Sequence, residues 1–377
     1  MLQILNKTDK LHVEWTIRKV ISNYENGISV FENAVKRGYV WDSEKKSRLI
    51  RSTILDHPIP PIYTSKHGDI YSNLDGKQRC LTYVEFYNDK FELEGLDPIT
   101  VMNTETGEVL VKIEYVGICG SDVHYFKDGR CGDFVVDGEL MLGHEAGGVV
   151  EKLGEGVTDL KVGDKVALEP GITCGHCEFC KSGRYNLCPD VVFLATPPVQ
   201  GCNEDYITFP ADMCFKLPEG MSTKEGALIE PFAVGLHAAH QGKVGMGDQC
   251  IILGSGCIGL MTLLACKACG ATDITVVDMA QKRLDYAMKL GATRVINAKE
   301  KDVLKEVEAF TNGAGIEKVF ETAGSPVTIA QTPYLVKKGG TITLVGMAAD
   351  PEVKFNFGQI MAKEARIESV FRYRNLY

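Results

Sequence analysis

Cys119, His144 and Glu145 put a thiol, an imidazole and a carboxyl on one short stretch, from Gly117-Ile118-Cys119-Gly120-Ser121-Asp122 to Gly143-His144-Glu145. These three side-chain types bind zinc together. Three protein ligands with one position left open make a catalytic site, whereas closed four-ligand sites are structural. Glu230, in Ile229-Glu230-Pro231-Phe232, is a candidate fourth contact.

A second cluster, Cys174, Cys177, Cys180 and Cys188, has the spacing C-x2-C-x2-C-x7-C. Four thiolates so close on a glycine-containing loop can close a tetrahedral zinc site that staples a lobe. Cys131, Cys202, Cys214, Cys250, Cys257, Cys266 and Cys269 lack ligand spacing and are expected to be small apolar residues.

A third signal is Gly254-Ser255-Gly256-Cys257-Ile258-Gly259, a G-x-G-x-x-G run. Alone it is weak. Here a strand, Cys250–Leu253, precedes it, an apolar helix follows to about Cys269, and the next strand, Ile274–Val277, ends in Asp278. That context makes a dinucleotide site, with the pyrophosphate at the helix N-terminus. Asp278 is placed to bond ribose hydroxyls and to repel a 2′-phosphate, favouring NAD over NADP.

Other elements must position these groups. Val109–Ile113 reads as a strand feeding the Cys119 loop. Val149–Gly154 and Gly163–Ala167 read as short strands with glycine turns, a spacing that suits a small β-barrel. From residue 237 strand and helix alternate, with further strands at Arg294–Asn297, Lys318–Glu321, Gly340–Val345 and Ile367–Phe371. The uncharged run Gln249–Cys266 is long enough to suggest a membrane span, but its three glycines argue for strand, loop and helix instead.

With 377 residues, 45% hydrophobic and 24% charged, the chain is expected to be globular and to hold two or three domains. The net charge of -9 argues against general nucleic-acid binding. Residues 1–100 are charge-balanced, so the excess lies beyond them. Met1–Lys10 has no apolar signal core, and thirteen cysteines then suggest reduced thiols and metal sites in a cytoplasmic protein.

Residues 1–98 do not belong to this pattern. Ser43–Leu55 reads as a helix capped by Ser43, stopped by the proline-rich 57–62 run. A strand, Ile70–Leu74, leads to Asp75-Gly76-Lys77-Gln78-Arg79, and a helix follows over Leu81–Tyr87. With Arg37 and Trp41, these residues resemble the ParB-like N-terminal family of GmrSD-type modification-dependent restriction enzymes over about 29–96. The resemblance implies a small α+β fragment acting on nucleotide or DNA, although that family commonly has Gln where Lys77 stands. The basic residues Lys36, Arg37, Lys45, Lys46, Arg48 and Arg51 could meet phosphates; a solvated helix face is the simpler reading.

From about Glu108 to Tyr377 the sequence resembles the zinc-containing medium-chain dehydrogenases, on their polyol (sorbitol or xylitol) branch. The Cys119 and His144 motifs, the four-cysteine lobe, Arg184–Pro189, Phe193–Gly201, Glu230-Pro231-Phe232 and Phe371-Arg372-Tyr373 carry it. It implies an α/β chain: a GroES-like barrel over 99–236, incomplete here, joined to a Rossmann doubly wound parallel sheet over 237–377. By resemblance, zinc on Cys119, His144 and Glu145 activates a polyol hydroxyl for hydride transfer to NAD. Gly254, Gly256, Ile258, Gly259, Asp278 and Arg283 hold the cofactor.

The resemblance also implies Ser121 and His124 as a proton path, Glu230 as a direct or water-bridged metal contact, and Arg372 with Tyr373 as the polyol site. Each has an alternative. Glu145 could stand behind a ligand and orient it. His124 could be a surface residue, and Arg372 could pair with a surface acid. A homo-oligomer is expected, acting on a small polyol or ketose with no membrane. Family strands before Glu108 and chain after Tyr377 have no counterpart, so the sequence reads as a fusion of two fragments. The competing functions are the nucleotide- or DNA-acting module of residues 1–97 and an inactive zinc-binding remnant.

Overall fold

The computed structural model describes residues 2–6, 12–15, 17–26, 29–30, 41–54, 62–67, 70–75, 77–88, 90, 104–348 and 352–377. The chain divides into two compact units, Met1–Val101 and Met102–Tyr377.

In the first unit a five-stranded sheet runs in the order His12–Trp15, Leu2–Asn6, Ile62–His67, Ile70–Asp75, Ser29–Val30. Helices Ile17–Glu25 and Ser43–Ile54 both pack on helix Lys77–Tyr87, burying Val20, Ile21, Ile50, Cys80 and Tyr83. The last helix begins four residues before the expected Leu81. Its first turn, Lys77-Gln78-Arg79, is made of good helix formers without apolar periodicity, so a periodicity argument passes over it. The Trp41 backbone N–H donates to Gln78 Oε1 at 3.2 Å, joining two motifs distant in sequence. Lys45 and Arg48 lie against Asp42 and Glu44 on an exposed face, in keeping with a solvated helix, whereas Lys46 meets Glu85 where both are largely covered. Lys36, Arg37 and the prolines 58, 60 and 61 fall outside the described residues.

The second unit opens with an antiparallel sheet in the order Tyr206–Pro210, Glu108–Gly117, Glu145–Leu153, Lys165–Leu168, Cys214–Lys216. Period-two alternation sends Val109 and Val111 inward, where they meet Val150, Val166, Leu168 and Phe209. The strand Glu145–Leu153 starts four residues earlier than the sequence pattern suggests, at Glu145 itself. The reason is pairing: Gly117 stands opposite Glu145, so Glu108–Gly117 carries the ladder to the metal motif. That register delivers the Cys119 loop beside Glu145.

Residues 249–369 form a six-stranded parallel sheet in the order Arg294–Asn297, Asp273–Asp278, Gln249–Leu253, Ile316–Glu321, Val336–Leu344, Arg366–Ser369. Its first strand lies at the centre and the order reverses around it, which is the doubly wound dinucleotide-binding arrangement. One apolar core lies on each face of this sheet. The glycine-rich loop leads from Leu253 into helix Cys257–Ala268. A Cβ on Gly259 would collide with the Gly254 carbonyl, so only glycine lets helix and loop approach this closely. The uncharged run is therefore strand, loop and helix. Among the described residues no helix is long and apolar enough to cross a membrane.

Helix Ile229–Gln241 joins the two lobes. It packs along helix Cys257–Ala268 and also touches strand Glu145–Leu153. Its first turn carries Glu230, and Pro231 is tolerated there because first-turn N–H groups lack helical partners.

Phe320 is fully buried in the core on the face of the sheet that carries this helix. Phe320→Ala is expected to cost about 3–5 kcal/mol. Urea denaturation followed in the second unit should show the midpoint falling accordingly.

Candidate metal and dinucleotide site

The ligand atoms of Cys119, His144 and Glu145 lie within 4.8 Å of one another, with His144 and Glu145 buried. Each is set by a local device. Cys119 precedes helix Gly120–Asp128 and caps it with extended backbone. Glu145 is the first residue of its strand, and its carboxyl packs over Gly117, where any Cβ would collide with Oε2. His144 lies at 5.8 Å, centroid to centroid, from the Phe193 ring.

Asp122 was not singled out from the sequence, yet it connects these pieces. One carboxylate oxygen accepts from the Cys119 backbone N–H at 3.0 Å. The other accepts from the Gly143 N–H at 3.2 Å and stands 3.7 Å from His144 Nδ1. The available signal was its place at the third position of a helix capped by Cys119, where acids reach back to the cap.

The donor set fits zinc. Burial pushes the Cys119 thiol up to about 12 and the Glu145 carboxyl up to about 7. Burial also pushes Glu230 up to about 8, with the Glu145 charge adding to it. Acidic groups gathered in one dry pocket keep their protons unless a cation takes their place. His144 Nδ1 is buried without a hydrogen-bond partner, and burial depresses its basicity. A neutral imidazole is the form that binds metal.

The remaining predicted residues distribute around this centre. Ser121 lies beside Cys119, where its hydroxyl and backbone hold the rise of the thiol in check. Tyr373 is buried, faces Glu230, and leaves its hydroxyl without a partner. Arg372 lies over the Phe193 ring at 4.1 Å and over Phe371 at 4.8 Å, and its Nη1 is buried without a partner. It is not paired with a surface acid. His124 points instead to Asp128, Nδ1 to Oδ2 at 3.1 Å, on the half-exposed side of its helix.

Cys174, Cys177, Cys180 and Cys188 bring their sulfurs within 4.8 Å of one another. Backbone N–H groups of Cys177 and Cys180 point at Cys174 and Cys177 sulfurs, each at 3.4 Å. Hydrogen bonds from the backbone of His176 and Cys177 pull the Cys174 thiol down to about 6. Cys177, despite its backbone bond from Cys180, is pushed up to about 11 by burial and the neighbouring thiols, and burial raises Cys188. The loop thus favours one thiolate, and a cation would let all four form, which fits a four-sulfur zinc site. Six of the seven other cysteines of this unit are buried or half-buried, but Cys257 is exposed at the first turn of the dinucleotide helix. That position is fixed by the phosphate loop rather than by the core.

At the dinucleotide end, Asp278 Oδ2 accepts from the Ser255 backbone N–H at 2.7 Å and Oδ1 from that of Ala280 at 2.8 Å. Arg283 Nη1 stands 3.8 Å from the same carboxylate, with its side chain largely exposed. The acid therefore closes the glycine-rich loop before any ligand is considered.

Residues 105–219 match the model of the alcohol dehydrogenase GroES-like domain and 257–377 that of the zinc-binding dehydrogenases. Residues 17–130 match the N-terminal domain of the GmrSD restriction endonuclease. Sorbitol dehydrogenase of Bacillus subtilis (strain 168) is 46% identical over 282 residues, covering 75% of this chain and 80% of that protein. A protein of Arthroderma otae named "Probable D-xylulose reductase A" is 41% identical over 299 residues, covering 76% of this chain and 83% of its own. A zinc-binding dehydrogenase from Sinorhizobium meliloti 1021, solved with NADP bound, superposes with a TM-score of 0.68 at 30% identity, covering 74% of this chain and 80% of that one.

From about residue 108 onward the chain belongs to the zinc-containing medium-chain dehydrogenases, on the branch of the sorbitol and xylitol enzymes, and a GmrSD-type N-terminal fragment precedes it. It is a zinc-dependent oxidoreductase whose cofactors are zinc and a nicotinamide dinucleotide.

The buried acids give this site a pH signature. Without metal, the folded chain holds the Glu145 and Glu230 protons more tightly than the unfolded chain does. The contribution of these two acids to the stability of the metal-free protein therefore falls as pH rises up to about 8. His237, held down to about 4 by burial, gives the opposite slope below about pH 6.5, and Cys174, held down to about 6, gives it between about pH 6 and 9. Comparing chelated protein with chelated Glu230→Gln isolates the acid. The variant should lose a downward slope of melting temperature between about pH 6.5 and 8, and the zinc-loaded pair should show no such difference. Equal slopes in the two chelated proteins would contradict this.

Proposed function

We propose that residues 104–377 oxidise a secondary hydroxyl of a polyol such as sorbitol or xylitol to the ketose, passing hydride to NAD. The carrying observation is a pair of orphaned polar atoms. Arg372 Nη1 and the Tyr373 hydroxyl are buried without partners beside the Cys119, His144 and Glu145 cluster. Buried polar groups are almost always satisfied, so two orphans in one place fit a ligand rich in hydroxyls. The names of the relatives point to the same substrate class.

In this reading Cys119, His144 and Glu145 hold the catalytic zinc, with Glu230 as a direct or water-bridged contact. Cys174, Cys177, Cys180 and Cys188 hold a structural one. When bound at the first site, zinc supplies Lewis acidity that lowers the pKa of a hydroxyl. Tyr373 and Arg372 orient the polyol by its other hydroxyls, and Arg372 is held over the Phe193 ring. Ser121 takes the proton at its hydroxyl, and His124, tied to Asp128 and reaching solvent, carries it out.

Gly254, Gly256, Ile258 and Gly259 cradle the pyrophosphate. Asp278 selects NAD by bonding ribose hydroxyls and repelling a 2′-phosphate, while Arg283 flanks the ribose. The catalytic lobe spans 99–236 and the cofactor lobe 237–377, and residues 1–98 are a separate module. A cytoplasmic homo-oligomer is the expected form.

Purified full-length chain should form NADH on a panel of sorbitol, xylitol and iditol, with a preference for NAD over NADP. A zinc chelator should abolish this turnover. Chelator-resistant turnover, or none on any polyol, would contradict the reading and move attention to the N-terminal module.

A further inference from the structure

We propose that Asn186, inside the four-cysteine lobe, is a positioning residue that holds Arg372 and Tyr373 in place for the substrate. This rests on the polyol reading of those two residues.

Arg372 has φ +57 and Asn375 φ +55, both left-handed. Asparagine adopts this conformation readily, but for arginine it is uncommon and persists where the surroundings hold it. The surroundings here come from residues 183–186. Asn186 is buried and bridges both sides of Arg372. Its Nδ2 donates to the Phe371 carbonyl at 2.9 Å, and its Oδ1 accepts from Arg374 Nη1 at 3.3 Å. Asn375 donates its backbone N–H to the Tyr185 hydroxyl at 2.7 Å and its Nδ2 to the Gly183 carbonyl at 2.9 Å. The Tyr185 hydroxyl donates in turn to Glu169 at 2.8 Å. Each left-handed residue is thus clipped by the lobe.

These clips lie between Cys180 and Cys188, two of the four sulfurs that the lobe brings together. Closing the lobe therefore fixes the segment that carries Arg372. The guanidinium then rests on Phe193, which abuts His144. The lobe has no reacting group of its own, but through Asn186 it sets the geometry of the residues that read the substrate.

Asn186→Asp is the test. The side chain is isosteric and keeps the acceptor for Arg374, but it loses the donor to the Phe371 carbonyl. KM for the polyol should rise about tenfold, with kcat and the KM for the nicotinamide within about twofold, since only binding contacts are misplaced. Hydrogen exchange on the substrate-free protein should be faster at the amides of residues 371–376 and unchanged in the central strands of the parallel sheet.

Unchanged exchange at 371–376 would overturn the proposal. So would equal losses in kcat and in nicotinamide binding together with faster exchange across residues 171–194, because that is loosening of the lobe as a whole. The exchange arm needs no turnover. Failure of the parent on every polyol would sink the polyol reading and leave the clamp to be decided by exchange alone.

Discussion

Three acidic side chains, Cys119, Glu145 and Glu230, meet in a pocket from which water is largely shut out, and burial drives each of them toward its protonated form. Removing ionisable groups from water is expensive unless something of opposite charge meets them. Arg372 faces Glu230, but its guanidinium is spread over two aromatic rings. The pocket is therefore built at a cost that a divalent cation would remove. That constraint explains why the donor atoms are supported from so many directions.

The support comes from both lobes. Strand register sets Gly117 against Glu145, Asp122 ties the Cys119 loop to the His144 loop, and helix Ile229–Gln241 brings Glu230 in from the junction with the parallel sheet. From the far side, the segment after the last parallel strand returns Arg372 and Tyr373 and is fastened to residues 183–186. Catalytic lobe, four-cysteine lobe and dinucleotide lobe all contribute to one pocket. A metal ligand, a helix terminus and a turn in an unfavourable conformation converge there.

Much of this was legible in the sequence because it depends on local chemistry. The ligand types, the cysteine spacing and the glycine-rich loop between strand and helix each require particular residues at fixed offsets. Elements whose hydrophobic period was clear, such as Ser43–Ile54 and Arg294–Asn297, begin where the sequence places them, although Asp42, accepting from the Lys45 N–H at 2.8 Å, caps the first of these in place of Ser43. What escaped depends on tertiary context. Asp122 and Asn186 are ordinary polar residues whose importance comes from partners 21 and 185 positions away. The polar first turn of helix Lys77–Tyr87 has no apolar rhythm to announce it. The extra residues of strand Glu145–Leu153 exist because of their partner strand. Cys257 looked like the other apolar cysteines, but its place in the phosphate loop exposes it.

The central claim is that one chain holds two chemically different metal sites, one of mixed sulfur, nitrogen and oxygen donors and one of sulfur alone. Zinc K-edge X-ray absorption on the full chain, with zinc content measured on the same sample, tests it directly. The account predicts about two zinc ions per chain and an average of about 2.5 sulfur ligands per zinc, the rest being nitrogen and oxygen. About one zinc per chain with four sulfurs would contradict it, because the pocket of Cys119, His144 and Glu145 would then hold no metal.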